Sequence, residues 1–398
     1  MPPPAVSGLR VLMFAAFAGT LAMMAFNSVI GPITRLLGLQ EWHAGLAVTA
    51  AGVLWMLSAR RWGALSDRIG RRRVLLVSLV AYALVYLSMA VFVGVALASP
   101  PTIWLSVALL VAMRALIGLF YAAVPPTAAA WVADSVGPGE RGGVMARLGA
   151  VNAMGTVLGP AIAGWLAWRG LAFALYVAAA LPFLSLLMVA WRLPPAAAKS
   201  PPRSTSPAAI GWTDRRLRMP LATVLVAMAS ISIAQVSVGF FAMDRLQLSP
   251  AEGARAAGLA LTAVGIGLIC AQALVARLRS IPPLRWIMTG AFIAAIGFSG
   301  AMLVGSLSSL MAVHALAAFG MGFMSPSIMA LTADSVQPHE QGVAAGTVSS
   351  MQGFGLMVGP LLGTLLYRWA PVAPYLFASG VLLLLGASSL WFLRWIGR

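Results

Sequence analysis

Apolar residues along this chain fall into long runs separated by short polar stretches. The runs lie at about 9–31, 44–62, 74–98, 102–132, 143–166 and 171–191, and again at 219–242, 255–276, 286–305, 308–332, 342–367 and 372–395. A helix that crosses a bilayer needs roughly 20 consecutive apolar residues. The pattern therefore predicts twelve spanning helices in two sets of six. The first run opens beside Arg10 and is followed by no convincing small-residue cleavage site, so it is expected to be retained rather than removed as a signal. Between the sets, residues 192–218 include PPAAAKSPPRSTSP. Prolines and serines at that density propagate neither helix nor sheet, which predicts a flexible cytoplasmic linker between residues 1–191 and 219–398.

Composition narrows the class. The chain has 398 residues, 61% hydrophobic and only 9% charged, against roughly 25% charged in an ordinary soluble domain. A soluble enzyme, a nucleic-acid-binding domain and a disordered chain are excluded on that ground. The formal charge of +17 belongs instead to the loops. Arg35, Arg169, Arg245, Arg255 and Arg368 fall on one side, Arg114 falls inside a span, and the other 20 of the 26 basic residues fall on the opposite side. An excess of that size in short loops orients both termini toward the cytoplasm. The lone Cys270 forbids an internal disulfide and any cysteine-based metal cluster.

The two halves repeat. A shift of 200 residues lays ADSVGPGERG at 133–142 on ADSVQPHEQG at 333–342 without a gap. The same shift lays Pro126 on Pro326, Gly155 on Gly355, and Gly159-Pro160 on Gly359-Pro360. Parallel halves related by an axis along the membrane normal are one of the transporter designs, and they place a substrate near that axis.

Between the second and third spans stands Gly63-Ala-Leu-Ser-Asp67-Arg68-Ile-Gly70-Arg71-Arg72-Arg73. The glycines are expected to permit a tight turn. Asp67 is expected to neutralise a neighbouring helix N-terminus, with Arg71 or Arg72 reaching Asp134. This loop resembles the G-x-L-a-D-r-x-G-r-r loop of the major facilitator superfamily. Arg114-Ala-Leu-Ile-Gly118 in the fourth span resembles the R-x-x-x-G motif of proton-coupled members. Gly155-Thr-Val-Leu-Gly159-Pro160-Ala-Ile-Ala163-Gly164 in the fifth is similar to the antiporter motif G-x-x-x-G-P-x-x-G-G, with Ala163 in place of a glycine. The three together are similar to the twelve-helix drug:proton antiporter branch. That resemblance implies an all-α membrane protein of twelve transmembrane helices in two pseudo-symmetric six-helix bundles, the major facilitator fold. It implies a gating and conformational switch built on the loop and Asp134.

The acids depart from that branch, many of whose members carry a carboxylate within the first span or the central cavity. All nine here, Glu41, Asp67, Asp134, Glu140, Asp214, Asp244, Glu252, Asp334 and Glu340, lie at span ends or in loops. A buried Arg114 without an acid suits neutral, zwitterionic or anionic substrates better than lipophilic cations. His314, which the 200-residue shift places opposite Arg114, is the candidate for a group that titrates near neutral pH. Its other reading is a neutral histidine hydrogen-bonded for packing. Asn27, Tyr121, Asn152, Gln235, Phe240 and Gln352 are candidate cavity residues, and each polar one also reads as glue between helices.

The function these features predict is proton-coupled export of a small organic molecule, a drug or a metabolite such as a siderophore, by alternating access. The expected partners are that substrate, protons and the lipid of a bacterial inner membrane, with no nucleic acid, no cofactor and no metal. The protein is expected to work as a monomer. An importer or facilitator and a non-transporting sensor are the alternatives. No phosphate-binding P-loop and no H-E-x-x-H appear, so the chain is not expected to be an enzyme.

Overall fold

The computed structural model describes residues 4–193, 211–278, 280–337 and 340–396, and among these every regular element is helical. In chain order the helices are α1 (Pro4–Leu36), α2 (Glu41–Ile69), α3 (Arg71–Ala98), α4 (Ile103–Tyr121), α5 (Val124–Ser135), α6 (Pro138–Leu166) and α7 (Leu171–Arg192). They continue as α8 (Arg218–Leu246), α9 (Pro250–Arg277), α10 (Pro283–Ser299), α11 (Leu307–Asp334), α12 (Gln341–Tyr367) and α13 (Ala373–Ile396). By length and composition, 11 candidate spans qualify, α4 and α5 counting as one. The helix left out, α12, has 27 residues, but Ser349, Ser350, Gln352 and its glycines dilute its hydropathy.

The helices overrun the apolar runs that announce them. The first run ends near residue 31 and α1 continues to Leu36; the seventh ends near 242 and α8 continues to Leu246. Backbone hydrogen bonding carries a helix past the point where its side chains turn polar.

One span predicted as a single run, 102–132, is two helices. The chain breaks at Ala122 and Ala123 because Pro125 and Pro126 have no N–H for the carbonyls four residues earlier. Its repeat partner α11, with only Pro326, stays continuous.

The chain forms two compact units: Met1–Arg203 with Pro250–Gly258, and Ser204–Ser249 with Leu259–Arg398. In the first unit α1 packs against α6 and α7, while α2 lies on α4 and α3 on α7. Glycines set these distances. A Cβ added at Gly155 or Gly159 of α6 would stand 2.8 Å from the Phe17 carbonyl oxygen or 2.5 Å from that of Leu21. Pro250–Gly258 belongs to this unit through a contact of the same kind, Gly164 lying where a Cβ would be 2.6 Å from the Ala254 oxygen. In the second unit α8 packs against α12, and the glycines 200 residues on repeat the arrangement. Added Cβ atoms at Gly355 and Gly359 would stand 3.0 Å and 2.7 Å from the carbonyl oxygens of Leu225 and Ala229. Small residues that let backbones touch are how helices associate where lipid removes the hydrophobic driving force.

The linker expected over 192–218 lies outside the described residues at 194–210. Its last part is held to the second unit. Trp212 packs on Phe354 with ring centroids 6.0 Å apart. Asp214 caps a short 3₁₀ turn (Arg215–Leu217), and the Arg216 fork donates to both oxygens of Glu340 at 2.8 and 3.1 Å. The Arg216 guanidinium, helped by the Arg216 backbone N–H, holds the Asp214 carboxyl below its usual range.

The tightest approach of a described glycine to a backbone atom is between α4 and α2, where a Cβ at Gly118 would stand 2.1 Å from the Ala51 carbonyl oxygen. Gly118→Ala is expected to destabilise the fold by about 1–3 kcal/mol, as overpacking does. Gly149→Ala, at a helical glycine with nothing within 4 Å, is expected to be neutral or mildly stabilising. Thermal unfolding of the two variants in detergent checks the contrast.

Candidate functional site

The loop after α2 places its charges through one backbone feature. Gly70 has φ of 97° and ψ of 144°, which turns the chain directly from α2 into α3. Gly63, expected to share that turn, is helical instead, six residues before the end of α2, and a Cβ there would meet only Pro126 at 3.9 Å. Helical hydrogen bonding simply continues through it to Ile69.

Arg71, the first residue of α3, joins three helices. Its Nε donates to Asp134 Oδ2 of α5 at 3.1 Å, and its Nη1 donates to Ser66 Oγ at 2.8 Å and to Asp67 Oδ1, both on α2. The Arg71 side chain is 9% exposed, against 62% for Asp67 and 21% for Asp134. Each of these charges sits at the helix end its sign disfavours: the acids in the last turns of α2 and α5, the arginine at the start of α3. They are favourable only as a group. Arg72 takes a different partner, the Ala190 carbonyl of α7 at 2.6 Å, and Arg68 is exposed.

Within the same unit Arg114 of α4 is 1% exposed. Its Nε and Nη1 are buried and have no hydrogen-bond partner. The guanidinium lies over the Phe26 ring, 4.4 Å from its centroid, a cation–π contact that substitutes in part for an anion. Around it three tyrosines fasten α1. Tyr82 donates to the Gly19 carbonyl at 3.0 Å, Tyr86 to that of Ala22 at 2.6 Å, and Tyr121 to that of Ala16 at 3.2 Å. Tyr121 also shares a hydrogen bond with Thr20 at 2.6 Å, and Thr20 donates to Asn152 Oδ1 at 2.8 Å. Tyr121 and Asn152 therefore belong to one polar chain that runs from α4 through α1 to α6. Asn27 is buried and donates to Met24 Sδ at 3.7 Å.

In the second unit His314 of α11 is 2% exposed, with Nδ1 2.9 Å from the Leu310 carbonyl oxygen. Phe240 is wholly buried and packs on Tyr367, Gln235 is half-buried, and Gln352 is exposed. Gly155, Gly159, Pro160 and Gly164 serve the close helix contacts described above.

Sequence reasoning missed Ser66, Phe26, Thr20, Tyr82 and Tyr86. A signal for the last two existed: the chain has only 6 tyrosines, and two stand four apart inside an otherwise apolar span.

The chain is similar to known proteins over most of its length. The model of the Major Facilitator Superfamily matches residues 12–299 and 221–396. The tetracycline resistance protein, class G, of Vibrio anguillarum is 28% identical over 338 residues, covering 82% of this chain and 80% of that protein. The multi-drug resistance efflux pump PmrA homolog of Lactococcus lactis subsp. lactis (strain IL1403) is 27% identical over 352 residues, covering 85% and 82%. A solved bacterial homolog of the human lysosomal transporter Spinster superposes with a TM-score of 0.77 at 14% identity, covering 98% of this chain and 97% of that one. With this match, two helical units repeating the same glycine contacts, and a loop–arginine–aspartate network in its first unit, the chain belongs to the Major Facilitator Superfamily and resembles its drug:proton antiporter branch.

Proposed function

We propose that this transporter exports a drug-like small organic molecule in exchange for protons, as a monomer in a bacterial inner membrane with both termini in the cytoplasm. The observation that carries the reading is the similarity, across about four-fifths of the chain, to proteins named for tetracycline resistance and multi-drug efflux. The biased loop charges support the orientation. The absence of carboxylates from the middle of the spans supports a neutral, zwitterionic or anionic substrate.

The loop network supplies a switch. Asp67, Asp134 and Arg71 are mutually stabilised across three helices, so a motion that separates α2 from α5 leaves charges unpaired at unfavourable helix ends. An anion–cation contact of this kind biases a two-state equilibrium in proportion to its difference between the states. In this scheme Gly63, Arg68, Gly70 and Arg72 frame the switch and Arg114 receives the substrate.

Two measurements test the reading. Everted membrane vesicles with an imposed pH gradient are expected to accumulate at least one member of a panel holding tetracycline, puromycin, ethidium and an organic carboxylate. Collapse of the gradient is expected to stop uptake. Uptake indifferent to the gradient removes antiport, and no uptake of any member favours a non-transporting sensor. Secondly, Asp134→Asn removes the negative charge from the α5 partner of the nearly buried Arg71 and is expected to lower transport about tenfold, the order of a lost charge-assisted bond. Asp67→Asn, at an exposed acid, should cost less, about threefold, as exposed pairs do. Initial uptake rates at equal protein level decide, and unchanged rates in both variants contradict the switch.

A further inference from the structure

Two polar atoms of ring side chains on different helices of the second unit are buried without partners. They are Nε2 of His314 on α11 and the hydroxyl of Tyr375 on α13. The rings meet edge to face, with centroids 5.6 Å apart and planes at 83°. Two further aromatic rings close on the phenol, Phe241 lying 4.8 Å and Phe298 6.3 Å from the Tyr375 ring.

The hydrogen bond at the far side of the imidazole fixes which nitrogen is bare. Nδ1 faces the Leu310 carbonyl oxygen, which only accepts, so Nδ1 carries the hydrogen of the neutral ring. Nε2 is then an acceptor without a donor, next to a phenol that is a donor without an acceptor. An orphaned polar group inside a bundle costs free energy in the state that leaves it bare, and a state that pairs it is favoured by that amount.

Among the described residues the surrounding helices bring no charge to the ring. On α8 Asp244 accepts from Tyr367, and Arg245 donates to the Met302 and Val304 carbonyls. Arg218 of α8, Glu252, Arg255 and Arg277 of α9 and Arg285 of α10 stand at helix ends, while Cys270 of α9 is exposed. α12 contributes Tyr367 at its last residue, and α13 contributes Tyr375 and, near its far end, Arg394. Of the other histidines, His43 accepts from the Gln40 backbone at the start of α2, and His339 lies outside the described residues. Arg114 is permanently charged and cannot cycle a proton.

Resting on the proton-coupled reading above, we propose that His314 and Tyr375 form a proton site that uses no carboxylate. In the neutral state a small shift of the Tyr375 ring, which already meets the imidazole edge to face, lets the phenol O–H donate to Nε2. When a proton arrives it binds Nε2, the ring becomes a cation, and Nε2–H donates to a lone pair of the phenol oxygen while the hydroxyl hydrogen swings away. Tyr375 stays neutral throughout and no other bond changes. A phenol is both donor and acceptor, so one residue satisfies Nε2 in both states. A cation among these aromatic rings draws water, which links protonation to opening of the bundle. Tyr375 is a positioning residue and His314 holds the proton.

The test uses the full-length protein in liposomes. Nitrogen-15 NMR of ring-labelled histidine, with the His314 signals assigned by their loss in His314→Gln, reads the tautomer and the titration directly and needs no substrate. Hydrogen on Nδ1 at neutral pH and a titration midpoint that Tyr375→Phe moves by about half a pH unit, the order of one hydrogen bond, are expected. Hydrogen on Nε2, or a midpoint untouched by Tyr375→Phe, overturns the site. Uptake of the vesicle panel driven by a pH gradient should fall about fivefold in Tyr375→Phe and be lost in His314→Gln, while downhill exchange persists. If the wild type moves no panel member, the export reading fails, and the NMR arm still decides the site. Gradient-driven uptake at the wild-type level in His314→Gln overturns it.

Discussion

Inside a bilayer no water stands ready to complete a hydrogen bond, and this chain meets that constraint almost everywhere from within. Hydroxyls turn back on their own helices, as Thr34 does on Ile30, Ser327 on Phe323 and Thr364 on Pro360. Tyrosines reach across to α1, giving second partners to the carbonyls of Ala16, Gly19 and Ala22. Against that background a few buried atoms among the described residues lack partners: single atoms of Arg72, Thr127, Trp131 and Ser237, two nitrogens of the buried charge Arg114, and the facing pair His314 and Tyr375. The same scarcity of partners that makes the scaffold rigid makes these groups informative.

Packing follows from the constraint. With lipid as apolar as leucine, helices are held by backbone contact, and glycine is the residue that permits it. The pairs Gly155/Gly159 and Gly355/Gly359 place α6 on α1 and α12 on α8 in the same way, so the sequence repeat is also a repeat of contacts. Polar clasps sit where the helices reach water. Arg71 joins α2, α3 and α5, and Arg216 joins the end of the linker to Glu340 before α12. The acids of both clasps lie outside the apolar middle of the helices, which is where charges can separate and re-form during a transport cycle at least cost.

Much of this architecture was legible in the sequence because lipid imposes a simple code. Run length gave the helices, and the ADSV repeat gave the two halves. The Arg71–Asp134 pair was open to a reading that matched a basic loop with the nearest acid. Helix ends were read short, since apolarity stops before hydrogen bonding does. The break at Ala122 was missed although Pro125 and Pro126 stood in plain view, because apolar continuity outweighed the missing donors. The environment of Arg114 could not be read at all: Phe26, Tyr82 and Tyr86 come from two other helices, and nothing in a linear pattern says which faces meet. Tyr375 stayed hidden for the same reason, while His314 was legible through the 200-residue repeat that sets it opposite Arg114 and through the ordinary titration range of an imidazole.

On the proposed reading Arg114 serves transport and not folding, and it is the sharpest case among the unpartnered groups. Arg114→Met keeps the bulk of the side chain and removes a buried charge whose Nε and Nη1 lack partners. An apolar replacement of that kind is neutral or stabilising when the charge contributes nothing to the fold. The account predicts an equal or higher melting temperature in detergent together with loss of gradient-driven uptake. A variant that melts well below the wild type yet still transports would contradict it.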